Sequence, residues 1–226
     1  MRIVNKNSLA ITLDNLNQIF FDNKKLPAGE SKSVARWIAK RQGLPGSYWN
    51  MFAPTSQDLK GIKLFTGEIV KSNAGISHFL GEDACHALYK LKVKDTFYAI
   101  VKAKKGLDAA IQNTKNKGHR YYGFYCCGKC SVAYWRNLIA EGVDKNKNLL
   151  RAGINILKSY RDGTGKWRRF PLYYTLYALC EINLSEATEE LKYSALLCER
   201  LFRTMRKEGK YEQRRFKLVS KVLESI

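Results

Sequence analysis

A glycine-and-aromatic turn between two helical patterns is the feature that most restricts how this chain can fold. In the segment from Arg161 to Leu179, a helical run ends near Tyr160. A turn then presents Gly165-Lys-Trp167, and Pro171 opens a second, more apolar helix. Gly46-Ser-Tyr48, Gly118-His-Arg-Tyr121 and Gly209-Lys-Tyr211 each follow one helical pattern and lead into another. The glycines at 118, 165 and 209 stand 47 and 44 residues apart. A period of that size signals stacked helical hairpins. The 72 residues between Gly46 and Gly118 fit the same plan if the first unit carries a long insertion.

The rest of the chain supports this reading. Residues 1–30 read as an N-terminal extension that ends at Pro27-Ala-Gly29, and 31–226 as a single helical-repeat domain. Ser31 or Ser33 offers a hydroxyl N-cap for a helix carrying Val34, Trp37 and Ile38 at i, i+3 and i+4. Residues 47–78 form a long aromatic-rich loop containing Pro54. Such a loop is functional or hides short structure of its own. Apolar and polar helices then alternate: Phe79 to Leu91, Phe97 to Asn113, Ser131 to Ile139 and Lys145 to Tyr160. Leu149, Leu150, Gly153, Ile154 and Leu157 share one face of the last of these. Leu172 to Ile182 is apolar nearly all round, as expected of a helix buried on most sides. Ser185 caps a helix running to about Arg206, and Phe216 to Ile226 closes the chain. No segment alternates with period two over a useful length, so the expected class is all-α: about four stacked helical hairpins.

At 226 residues the chain can bury one sizeable core, and its 45% hydrophobic content excludes wholesale disorder. No apolar run reaches the roughly 18 residues of a membrane span. The opening Met-Arg-Ile-Val-Asn-Lys-Asn lacks the apolar core of a signal peptide. Six cysteines in a chain of this size point to reduced thiols and a cytoplasmic location. Forty Lys and Arg against twenty Asp and Glu give a net charge of +20. That surplus attracts nucleic acid, acidic lipid head groups or phosphorylated small molecules, or else forms a solvated basic surface.

On these residues the chain resembles the α/α-toroid repeats of terpene cyclases and protein prenyltransferase β subunits. Arg151 to Leu157 followed by Gly165-Lys-Trp167 looks like the cyclases' Gln-Trp motif, with Arg161 at the Gln position. The resemblance implies an outer helix, a Gly-x-Trp loop and an inner helix facing a central cavity. With about four hairpins, it implies a toroid that is open or is completed by a homodimer partner. The cyclases' Asp-x-Asp-Asp and the magnesium-binding Asp-Asp-x-x-Asp are absent from the sequence, which argues against protonation-initiated cyclisation. Asp83-Ala-Cys85 looks like the Asp-x-Cys zinc pair of the prenyltransferases, while their His falls on Tyr174. The inner-helix position of the intervening repeat falls near Cys130. The resemblance therefore implies a zinc held by Asp83, Cys85 and Cys130 and a diphosphate-bearing lipid as ligand.

The residues themselves leave alternatives open. Cys127-Gly-Lys-Cys130 has the C-x-x-C spacing of a zinc knuckle, and Cys126, Cys85, His86, His78 and His119 are candidates to complete four ligands. The competing readings are buried thiols used for packing and redox-labile thiols. Cys130, at a helix start, is also a candidate nucleophile. Tyr173 and Tyr174 either line a cavity or staple neighbouring repeats, and Trp167 reads as a staple. Arg161, Arg168 and Arg169 are the anion-binding candidates because they sit in a loop. The basic tail from Arg200 to Lys221 reads as a solvated face. The functional expectation is a binding protein or transferase-like enzyme for an anionic ligand. A nucleic-acid-binding repeat and a protein-interaction scaffold are the alternatives.

Overall fold

The computed structural model describes residues 3–116 and 122–226. The Gly118-to-Tyr121 turn and His119 lie outside the described residues. The chain is all-α, with ten α-helices among the described residues and one hairpin of two-residue strands. It divides into two compact units: Met1–Phe65 with Ile69–Gly118, and Thr66–Glu68 with His119–Ile226.

The first unit contains α1 (Leu9–Phe21), α2 (Ala28–Ala39), α3 (Asn73–Leu91) and α4 (Phe97–Asn116). The expected extension thus contains a core helix, because α1 buries Leu9, Leu13, Leu16 and Phe21. Its first turn is fixed from 49 residues away, where Asp58 accepts from Leu9 N at 3.0 Å, Ala10 N at 3.2 Å and Ser8 Oγ at 2.6 Å. A carboxylate there satisfies otherwise orphaned N–H groups and meets the positive end of the helix dipole. Helix α2 starts before the expected serine cap, at Ala28, behind Pro27 with φ −55°. Pro27 is itself the N-cap, and no side chain accepts from the first turn. Val34 and Ile38 are buried as the spacing predicts. The long loop holds short turns at Tyr48–Asn50 and Asp58–Lys60 and the hairpin of β1 (Ile62–Lys63) with β2 (Ile69–Val70). Helix α3 is the centre of this unit and packs against α1, α2 and α4.

The second unit contains α5 (Gly128–Glu141), α6 (Val143–Ser159), α7 (Leu172–Glu181), α8 (Ser185–Tyr193), α9 (Ala195–Thr204) and α10 (Lys210–Glu224). Helix α7 packs between α5 and α10, while α8 packs between α6 and α9. The hairpins α5–α6, α7–α8 and α9–α10 join the two rows. This is the alternation read from the sequence, and α6 buries the predicted Leu150, Gly153, Ile154 and Leu157. The expected helix from Ser185 to Arg206 is two helices. Ser194 stands at their junction, where its N–H bonds the Glu190 and Leu191 carbonyls at 3.3 and 3.0 Å and its Oγ bonds the Glu190 carbonyl at 3.2 Å. Ser185 is not a cap either, since its hydroxyl turns to Glu186.

Trp167 is the staple expected of it. It is buried in the loop between α6 and α7 and donates from Nε1 to Glu190 on α8 at 2.8 Å. Arg161 bonds the same carboxylate through Nε at 3.1 Å and Nη2 at 2.7 Å, with its guanidinium over the Tyr193 ring. Buried Glu190 therefore ties the α6–α7 loop to α8.

Candidate metal centre at the start of α5

The thiol turn is built from its surroundings inward. Gly123, at φ +78°, turns the chain, and the buried Trp135 of α5 donates from Nε1 to its carbonyl at 2.8 Å. Two residues later Tyr125 N donates to Ser131 Oγ at 2.9 Å, and that hydroxyl donates to Cys127 O at 2.8 Å. Cys127 is the extended N-cap of α5, and its sulphur accepts from Cys130 N at 3.5 Å. Gly128 follows because the Arg169 carbonyl lies 2.4 Å from where a Cβ would stand. Together these contacts bring three sulphurs to one helix N-terminus. The Cys127 and Cys130 sulphurs are 3.3 Å apart, and those of Cys126 and Cys130 lie within 4.8 Å of each other.

Charge in this cluster is divided unequally. The Cys127 thiol is held far below its ordinary range, first by its hydrogen bond with Cys126 and then by that with Cys130. Burial opposes the shift, and the Cys130 and Lys129 backbone N–H groups assist it. Cys130 is pushed up, because it bonds to Cys126 and Cys127 and is buried. Cys127 is thus the thiolate acceptor of the group. The other thiols of this unit are different. Burial pushes Cys180 up to about 12 and Cys198 to about 11, as for inert packing cysteines.

The remaining sequence candidates are carried by other elements. Asp83 and Cys85 belong to the first unit, in the middle of α3, because that helix starts at Asn73 rather than near Phe79. Residues i and i+2 leave a helix roughly 200° apart. The Asp83 carboxylate accepts from Asn17 Nδ2 at 2.8 Å. His86 is buried edge-on to Phe20, and His78 pairs with Glu82 at 2.6 Å and stacks on Tyr48. In the second unit Arg161 is engaged by Glu190, whereas Arg168 and Arg169 are exposed and meet no carboxylate among the described residues. Tyr174 is buried, and its N–H donates to Glu68 at 3.3 Å. Tyr173 is half-buried with the Arg215 guanidinium over its ring, and burial raises its pKa.

Sequence reading ranked Cys126 and Cys127 below Asp83 and Cys85, and it missed Glu190 as the partner of both Arg161 and Trp167. An adjacent cysteine pair before C-x-x-C was the available signal for the first. No local pattern marks the second. Comparisons with protein-family models, curated proteins and solved structures gave no match.

Proposed function

We propose that Cys126, Cys127 and Cys130 form a thiolate metal centre whose preferred ion is zinc. The observation that carries this reading is the gathering of three sulphurs, at 3.3 Å and within 4.8 Å, at one helix start. Around a tetrahedral zinc with Zn–S of about 2.3 Å, neighbouring sulphurs stand roughly 3.8 Å apart. The cluster brackets that spacing without rearrangement of the backbone. Sulphur donors favour soft cations over magnesium or calcium, and the positive end of α5 stabilises the thiolates the ion needs. Three sulphurs leave a fourth position for a protein side chain, water or a ligand. Zinc there can brace the turn that carries Cys126 or act as a Lewis acid on what binds fourth.

Elemental analysis of chain purified without added metal tests this. The expected result is about one equivalent of zinc, lost in Cys127→Ala and in Cys130→Ala. Replacing His78, Cys85, His86 and His119 in turn identifies a fourth protein ligand. Zinc content near zero, or content indifferent to both cysteine changes, refutes the reading.

A second reading has its own support: exposed Cys127 is the lowered thiol and buried Cys130 lies beside it, a pairing suited to thiol–disulfide exchange. Formation of a reversible Cys127–Cys130 disulfide in metal-free protein as purified would favour it.

A further inference from the structure

We infer that the cleft between the end of α6 and the loop entering α7 binds the phosphate group of a small ester. The cleft encloses about 460 Å³ and is lined by Ile156, Ser159, Tyr160, Arg168 and Arg169. That volume lies in the range of small-molecule sites. Two guanidiniums line it and no carboxylate does. Elsewhere in this unit Arg136 is paired with the carboxylate of Glu181 and Arg161 with that of Glu190. Two adjacent cations left without one are set for an anion from outside, and the planar guanidinium fork matches phosphate oxygens.

The backbone makes the same point. Arg169 holds φ +65°, a conformation in which glycine is the low-cost residue. The turn is imposed around it. Phe170 N bonds Trp167 O at 3.2 Å, Arg168 N bonds Tyr160 O at 2.8 Å, and the Arg169 carbonyl lies against Gly128. A long cationic side chain at a strained position, on a loop anchored by Trp167, lies where such strain gathers in binding sites. The other lining residues supply the rest of the ligand's chemistry. Tyr160 packs edge-on to Phe170 at 5.4 Å and is held in place by that contact. With Ile156 it gives the non-polar part of the ester a surface, and the Ser159 hydroxyl, which donates to the Ile156 carbonyl at 2.7 Å, can accept there. The ligand class is therefore a phosphate ester with an aromatic or aliphatic body.

The test is calorimetric titration of the full chain with phenyl phosphate and with inorganic phosphate. Phenyl phosphate should bind more tightly than inorganic phosphate. Arg168→Gln and Arg169→Gln should each weaken it about tenfold or more, while Arg203→Gln on α9, the same change in charge, should leave it unaltered. Binding should survive treatment with a chelator, which separates this site from the thiol centre. Phosphatidate vesicles extend the test: uptake that depends on both arginines would identify the ester as a lipid head group, and phenyl phosphate binding without uptake would identify a soluble one. No heat with phenyl phosphate, equal losses in Arg203→Gln, or loss of binding on chelation would overturn the inference. So would binding of an oligonucleotide or vesicle that is indifferent to Arg168 and Arg169.

Discussion

Gly153→Ala should destabilise this protein, although the same change in an exposed helix interior is favourable. Replacing glycine by alanine inside a helix contributes about 1 kcal/mol of stability by propensity alone. At Gly153 the new methyl would stand 2.3 Å from Trp135 Nε1 and 2.7 Å from both Trp135 Cε2 and the Gly123 carbonyl. Trp135 is fully buried and stacks on Phe170 with centroids 5.9 Å apart, so it cannot swing away cheaply. Forcing the ring aside costs about 1–3 kcal/mol as overpacking. Losing the Trp135–Gly123 hydrogen bond in a buried setting costs about 1–3 kcal/mol more. After the propensity gain is subtracted, the net loss is about 1–5 kcal/mol. The assay is urea unfolding followed by tryptophan fluorescence and far-ultraviolet circular dichroism. Gly29→Ala in α2 is the control, since nothing lies within 4 Å of its Cβ position. It should be neutral or stabilising by up to about 1 kcal/mol. Because the Gly123 turn leads to Cys126, Gly153→Ala should also lower zinc affinity. If Gly153→Ala shows the full propensity gain instead, the packing argument around the thiol turn is wrong.

Other outcomes follow from single side chains. Glu190→Ala should cost about 2–4 kcal/mol, below the fully buried range because Arg161 is partly exposed, and Glu190→Gln should cost less. Equal stability of both variants and the parent in thermal melts would refute that account. Asp58→Ala strands Leu9 N, Ala10 N and Thr55 N. It should cost about 2–4 kcal/mol and speed hydrogen exchange in the first turn of α1, which amide-exchange mass spectrometry reads directly. In reduced, chelator-treated protein, alkylation of Cys127 should change little from about pH 8 to about pH 6, whereas an ordinary thiol slows about tenfold per unit below its pKa. Cys180 should stay unlabelled throughout. A Cys127 rate that falls tenfold per unit would contradict the charge assignment within the cluster.

How much of this was legible in the sequence depended on how local the cause was. Helices α6 and α7 showed their faces because burial repeats every three or four residues along one segment. Gly165-Lys-Trp167 was readable as a turn because glycine and a large aromatic act within a few residues. The α3 start was misplaced by six residues, since Asn73-Ala-Gly carries little apolar signal and its cap is the preceding Ser72. That error placed Asp83 and Cys85 at a helix start, whereas they lie in the middle of α3. The break at Ser194 falls inside a continuous amphipathic pattern, and Asp58, which anchors the Ser8-capped start of α1, lies far along the chain. Neither has a periodic trace. C-x-x-C was legible as donor spacing. The share of Cys126 in the cluster depends on the extended backbone at Cys127 and on the Gly123 turn, which only packing around Trp135 reveals.

X-ray absorption at the zinc edge of the metal-loaded chain tests the central claim most directly. The thiolate account predicts a sulphur shell near 2.3 Å made by three cysteines, reduced by one scatterer in each of Cys126→Ala, Cys127→Ala and Cys130→Ala. A first shell of nitrogen and oxygen alone, or a sulphur shell that all three substitutions leave intact, would contradict it.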